Sequence, residues 1–175
     1  MRFFFAFALP IRTSDAIVAH LDTDPMPAQW RLLPRQGWHL TQLFLGDRDG
    51  PVPRELLSEL AEEVKEQNAY LLQDGRRVEV AGAGGMQWIR FTPSAEHAQL
   101  HNALARRMGV APDQRHPFWP HVTIARCRKG SAQDRVGAVV VDRLLVDHVA
   151  LFLSTPTPQG PSYTELQRFP LRLLT

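Results

Sequence analysis

Cysteine is nearly missing from this chain: Cys127 is the sole example in 175 residues. One thiol excludes a disulfide framework and a cysteine-built zinc site, and it fits a reducing, cytoplasmic location. Long apolar runs are missing too. The opening "MRFFFAFALPIRTSD" has an apolar stretch of only about eight residues, with no small-x-small cleavage site after it. Nothing approaches the ~20 apolar residues of a membrane span. Phe3 to Leu9 is therefore expected to be a buried first strand, and no membrane partner is expected. The carboxylate-rich clusters of a magnesium or two-metal centre are not evident, so neither a metal nor another cofactor is expected. Lysine is scarce: the 20 basic residues are 18 arginines plus Lys65 and Lys129. Arginine forks match phosphate and stack on flat rings, but a G+C-rich genome is enough to produce the same bias. The net charge of +2 excludes a protein that coats DNA.

What is present is ordinary globular composition, 44% hydrophobic and 22% charged, enough for one cored domain over residues 1–175. A strand ends at Pro10. Thr13 or Ser14 can cap a helix through "DAIVAHLD". "HLTQLFLG" reads as a strand stopped by Gly46. Pro53 suits the first turn of a helix running to about Asn68, striped by Leu56, Leu57, Leu60, Ala61 and Val64. "RRVEVAG" and "MQWIRF" read as strands. The "GAGG" at 82–85 lacks the third glycine and following helix of a dinucleotide fingerprint and reads as a hairpin turn. Ser94 can cap a helix to about Met108. Residues 131–142 suggest a short helix, and "LLVDHVALFLS" and "SYTELQRFPL" are closing strands around a Pro/Gly loop at 156–161.

Two of these strands carry chemistry. "GWHLTQLFLG" and "PFWPHVTIAR" each hold a His-apolar-Thr triplet, at His39–Thr41 and His121–Thr123, 82 positions apart. Alternate strand side chains share a face, so each triplet offers an imidazole and a hydroxyl together, with the apolar residue turned away. Each triplet follows a tryptophan, Trp38 directly and Trp119 through Pro120. The order strand, helix, His-x-Thr strand occurs twice, with 34 residues from Phe5 to His39 and 32 from Ile89 to His121. That repetition predicts a pseudo-twofold pair of lobes whose triplets face each other across a cleft. Two imidazoles titrating near neutrality can serve as base and acid, and the hydroxyls can donate to the oxygens of a tetrahedral anion. A phosphodiester suits such a set. Arg126 points away from His121 on a regular strand and must curl back to reach the same anion.

The other histidines give weaker signals. His97 and His101 have helical i, i+4 spacing without a third ligand and read as a solvated border. His20 and His148 read as structural or exposed, and His116 is close enough to the second triplet to line the cleft. Gln42 falls on the face opposite His39 and Thr41, where it bears on packing and not on chemistry.

On these residues the chain resembles the two-histidine (2H) phosphoesterase superfamily, and within it the RNA 2′,3′-cyclic phosphodiesterases, first named 2′-5′ RNA ligases. "RFFFAFALP" looks like that family's opening strand, "WHLTQLFLGD" and "FWPHVTIAR" like its signature strands, and "VDHVALFLSTPTPQGPSYTELQRFPL" like its closing strands. The resemblance implies an α+β bilobal pseudo-twofold fold, with an antiparallel sheet and helices in each lobe and a central cleft. It implies hydrolysis of a terminal RNA 2′,3′-cyclic phosphate to a 2′-phosphate, without metal, and a reversible ATP-independent 2′-5′ joining of that phosphate to a 5′-hydroxyl. It makes His121 the acceptor of the water proton, His39 the donor to the leaving oxygen, and Thr41, Thr123 and Arg126 the phosphate ligands. Phe5, Phe7, Trp119 and Tyr163 are candidates to stack on the terminal base. The expected partner is RNA with a cyclic phosphate end, tRNA fragments included, and the expected state is a monomer. Two alternatives stay open: a non-catalytic nucleotide-binding module, and a phosphodiesterase for 2′-5′ oligoadenylate or another cyclic nucleotide.

Overall fold

The computed structural model describes residues 1–80, 85–111, 118–127, 135–158 and 160–173. The elements run β1 (Arg2–Ala8), α1 (Ile11–Thr23), β2 (Trp30–Leu32), a 3₁₀ turn (Arg35–Gly37), β3 (His39–Asp47), α2 (Arg54–Val64), β4 (Tyr70–Val80), β5 (Met86–Arg90), α3 (Ala95–Met108), β6 (His121–Cys127), β7 (Arg135–Val146), β8 (His148–Thr157) and β9 (Gly160–Pro170).

Eight strands hydrogen-bond in the order β7-β4-β5-β6-β3-β1-β8-β9, and β2 adds to β6. Every pairing between these strands is antiparallel. The order reads as a palindrome: β5 and β6 of one half answer β1 and β3 of the other, and β4 and β7 answer β8 and β9. Correspondence extends to single hydrogen bonds. Leu9 N–H donates to Trp38 O, and Phe91 N–H donates to Pro120 O, at equivalent places beside the two triplets. The halves meet at one residue pair, Leu40 opposite Val122, the middle residues of the triplets. The pseudo-axis therefore passes between them. The triplets lie side by side in one continuous sheet and do not face each other across a gap; the cleft is the open face above their join. This antiparallel register sets His39 opposite Thr123 and Thr41 opposite His121.

The helices cover one face of the sheet. α1 packs on β7, α3 on β3, and α2 on α3 and β9. Beneath them lies the main core, which includes Phe3, Phe5, Phe7, Leu40, Ile89, Leu100, Leu104, Val122, Val146 and Leu151. Each such side chain contributes on the order of 1.5–3 kcal/mol by leaving water. A smaller cluster of Phe4, Ala6, Ala150 and Phe152 lies apart from it.

Element boundaries differ from expectation in four places. α1 begins at Ile11 behind Pro10, so Ser14 is inside the helix and buried rather than a cap. α2 begins behind Pro53 and stops at Val64, short of Asn68, because the next segment bonds elsewhere: Ala69 N–H reaches Arg172 O, and Arg172 N–H reaches Gln67 O. β8 and β9 run to Thr157 and from Gly160, into the expected 156–161 loop. Residues 135–142 belong to β7, not to a helix; Val136, Val139, Val140 and Val141 are β-branched and favour the strand. α3 is as expected: Ser94 Oγ accepts from His97 N–H, and Gly109 closes the helix at φ 65°. The 82–85 turn falls mostly outside the described residues, but the flanking strands pair antiparallel, Val80 with Met86. His116 also lies outside them. No described helix is long and apolar enough to cross a membrane.

Candidate active site

Two β-bulges decide which side chains enter the cleft. Along β1 and β3, Ala6 pairs with Thr41 and Phe5 with Leu43, so Gln42 is an extra residue. Along β5 and β6, Trp88 pairs with Thr123 and Gln87 with Ala125, so Ile124 is the extra residue. Each bulge directly follows a triplet, at equivalent places in the two halves. A bulge shifts the alternation of faces by one. Beyond it, Phe44 joins His39 and Thr41 on the cleft face, and Arg126 joins His121 and Thr123. On a regular strand both would point into the core. The strand-end curl that Arg126 needed is thus an internal bulge. Bulged residues leave backbone groups without ladder partners, and these must be met elsewhere. The Ile124 carbonyl accepts from Leu33 N–H at 2.8 Å. The Gln42 carbonyl accepts from His101 Nδ1–H at 2.6 Å.

The two imidazoles are oriented alike. His39 Nδ1–H donates to Gly37 O at 2.6 Å, and His121 Nδ1–H donates to Trp119 O at 2.7 Å. Each is the carbonyl two residues upstream. With Nδ1 committed, Nε2 of each ring is the atom left for a reacting group. The rings are also packed. His39 lies 4.9 Å from Phe4 and 4.9 Å from Tyr163, edge-on to the latter, and His121 stacks on Trp88 at 4.0 Å. Burial lowers both imidazole pKa values; the carbonyl bonds oppose it, and for His39 the nearby His121 lowers it further. Burial raises the Tyr163 phenol and Arg126 opposes it, so the hydroxyl remains a donor at neutral pH.

One cavity of about 250 Å³ is lined by His39, Thr41, His121, Thr123, Arg126 and Tyr163, together with Arg2, Phe4, Leu33, Phe44 and Ser154. Six of the seven expected site residues are therefore brought together. Trp119 is not among the lining residues. It carries the Arg90 guanidinium over its ring at 4.8 Å, and its carbonyl orients His121. Phe5 and Phe7 are core residues, 0% and 2% exposed, and cannot meet a base. Their neighbour Phe4 lines the cavity in their place. The pairing explains this: Ala8, Ala6 and Phe4 sit opposite His39, Thr41 and Phe44, so the even positions of β1 share the cleft face. Small Ala6 and Ala8 alternating with large Phe5 and Phe7 was the available signal.

Behind β3 lies a buried polar cluster that the helical border reading missed. Gln42 is 0% and His97 2% exposed. The Gln42 side-chain amide lies 2.5 Å from the Tyr70 hydroxyl and 3.1 Å from His97 Nδ1, and the Tyr70 hydroxyl lies 3.1 Å from the same nitrogen. Phe118 stacks on both His97 and His101. Burial, then the charges of His101 and His121, push His97 down to about 3. Among the described residues no group of three or more His, Cys, Asp or Glu is placed to hold a metal ion. The cavity's polar groups are imidazoles, hydroxyls and arginines, a set suited to an anion and to proton transfer.

Residues 15–155 match the 2′-5′ RNA ligase superfamily. A curated relative, the RNA 2′,3′-cyclic phosphodiesterase of Thermus thermophilus, is 32% identical over 98% of this chain and 91% of its own length. Among solved structures, a Thermus thermophilus protein superposes with TM-score 0.75 at 24% identity, covering 98% of each chain. E. coli LigT superposes with TM-score 0.72 at 24% identity, covering 98% of this chain and 97% of its own.

Proposed function

Because this chain belongs to the 2′-5′ RNA ligase superfamily, we propose that it is the RNA 2′,3′-cyclic phosphodiesterase its two triplets describe, hydrolysing a terminal cyclic phosphate to a 2′-phosphate. The observation that carries this reading is the twofold arrangement of His39 and Thr41 with His121 and Thr123 around one cavity, with both Nδ1 atoms fixed on backbone carbonyls. The cyclic phosphate sits over the Leu40–Val122 join. The threonine hydroxyls donate to its two non-bridging oxygens, and Arg126 neutralises the charge that builds on them. Water attacks phosphorus and gives its proton to His121 Nε2. The P–O3′ bond breaks, and O3′ takes the proton from His39 Nε2–H. Solvent exchange then restores a neutral His121 and a protonated His39. With the 5′-hydroxyl of a second RNA in place of the attacking water, His121 takes that hydroxyl's proton, the P–O3′ bond breaks as before, and the same atoms form a 2′-5′ bond without ATP.

The test uses a short RNA ending in a 2′,3′-cyclic phosphate, incubated in EDTA without ATP, with the end group resolved. A 2′-phosphate is expected, and its formation should fall by on the order of 10²–10⁴ in His39→Ala and in His121→Ala. An unchanged end, or near-wild-type turnover in both variants, would defeat the proposal. Nucleotide binding without turnover would point instead to a binding module.

A further inference from the structure

The catalytic cavity opens sideways into a larger groove of about 600 Å³, walled by Arg31, Gln36, Thr157, Gly160 and Ser162 and sharing Leu33, Gly37, Arg126, Pro161 and Tyr163 with the cavity. The cavity alone falls below the ~300–1,000 Å³ usual for a small-molecule site, so a nucleotide chain entering it must continue somewhere.

The groove is built around an arginine pair. β2 lies outside the palindrome and pairs with β6 alone, which puts Arg31 directly opposite Arg126. Directly opposed residues of an antiparallel pair share a face, and like charges so placed repel. Among the described residues neither guanidinium has an ion-pair partner. Other arginines do: Arg2 with Asp47, Arg35 with Asp15, Arg107 with Glu59 and Glu63. The start of β9 packs against Arg31: Gly160 has φ 121°, where a side chain is strained, and a Cβ there would be in ordinary contact with Arg31 Nη2, at 3.5 Å. Anions seated at the two guanidiniums would offset the repulsion that the bare protein tolerates.

We infer that Arg31 forms a second phosphate subsite, one strand away from Arg126, for the internucleotide phosphate that precedes the cyclic end. This rests on the proposed hydrolysis of RNA ends and deepens it: the enzyme selects a chain of two or more nucleotides over a cyclic mononucleotide. Arg126 serves the reacting phosphate, Arg31 holds the next one, and Ser162 and Gln36 offer further donors along the groove.

The experiment compares kcat/KM for adenosine 2′,3′-cyclic phosphate, for the dinucleotide ApA ending in the same cyclic phosphate, and for that dinucleotide with an uncharged methylphosphonate linkage. The wild type should favour the charged dinucleotide over both others. Arg31→Gln should lower kcat/KM for it by about tenfold, as expected for a partly hydrated hydrogen bond to a charged group, and flatten its log–log salt dependence by about 1. The mononucleotide should change less than twofold. Equal losses on mononucleotide and dinucleotide, no loss on either, or full activity on the methylphosphonate would overturn the subsite. A wild type that hydrolyses none of the three would defeat the hydrolase reading. The subsite is then read by binding of a fluorescent ApA 2′-phosphate: a tenfold weaker Kd in Arg31→Gln supports it, and an unchanged Kd overturns it.

Discussion

His97 should make this protein acid-sensitive by a calculable amount. Its ring is 2% exposed and bound to Gln42 and Tyr70, and burial holds its pKa near 3 in the fold, against ~6.5 in the unfolded chain. The sign follows from proton counting. Above pH 6.5 neither state binds the proton and His97 contributes no pH dependence. Below it the unfolded chain gains a proton that the native state refuses, so stability falls by ~1.4 kcal/mol per pH unit until the folded value is reached. Between pH 7 and 4.5 this one residue should cost about 2–3 kcal/mol, a large part of the ~5–15 kcal/mol that holds a domain together. The assay is urea denaturation of the wild type and of His97→Asn, whose amide replaces Nδ1 without titrating. The wild type should lose about 2–3 kcal/mol more than the variant between the two pH values. Parallel losses would refute the reasoning, because they would mean that His97 is reached by solvent or takes up its proton in the native state.

Two further outcomes are expected. His101→Ala leaves the buried carbonyl of the Gln42 bulge without its donor, which should cost about 1–3 kcal/mol in chemical denaturation, while His101→Asn should recover part of it; identical unfolding midpoints in all three proteins would remove His101 from the bulge. For kcat/KM, which reports the free enzyme, both active-site imidazoles titrate below their usual value because they are buried. In the proposed mechanism His39 must carry its proton and His121 must not, so the maximum should lie below pH 6.5 and activity should decline above it as His39 deprotonates; a maximum above pH 7.5, measured on a cyclic mononucleotide, would contradict the burial argument.

Much of the site was legible in the sequence because it is local. A period of two places His39 with Thr41, and His121 with Thr123, on one face whatever the rest of the chain does. The repeated order of elements predicted the pseudo-twofold, and the palindromic sheet has it. What local pattern could not supply was set by contacts distant in sequence. The short helix suggested over 131–142 lost, over its described residues 135–142, to β7, because β4 offers them a partner. Gln42, Tyr70, His97 and His101 come from three separate elements, and i, i+4 spacing on α3 carries no sign that β3 covers that face.

The bulges show why symmetry is informative where periodicity fails. A strict period of two sends Phe44 and Arg126 into the core, as it does any residue five places after His39 or His121. Arginine in an apolar core without a partner costs several kcal/mol, so Arg126 alone argues that its strand breaks register before it. Phe44 gives no such warning, since a core would accept it, yet it is 64% exposed. In the sequence, only equivalence with Arg126 assigns it to the cleft. The two halves thus use one backbone device for different ends. On the proposed reading an arginine, Arg126, meets the charge on one side of the axis. On the other, Phe44 and Phe4, whose rings lie 6.1 Å apart, make an apolar wall. A site with an axis of symmetry in its backbone can in this way hold an asymmetric substrate, with charge on one side and a flat ring on the other.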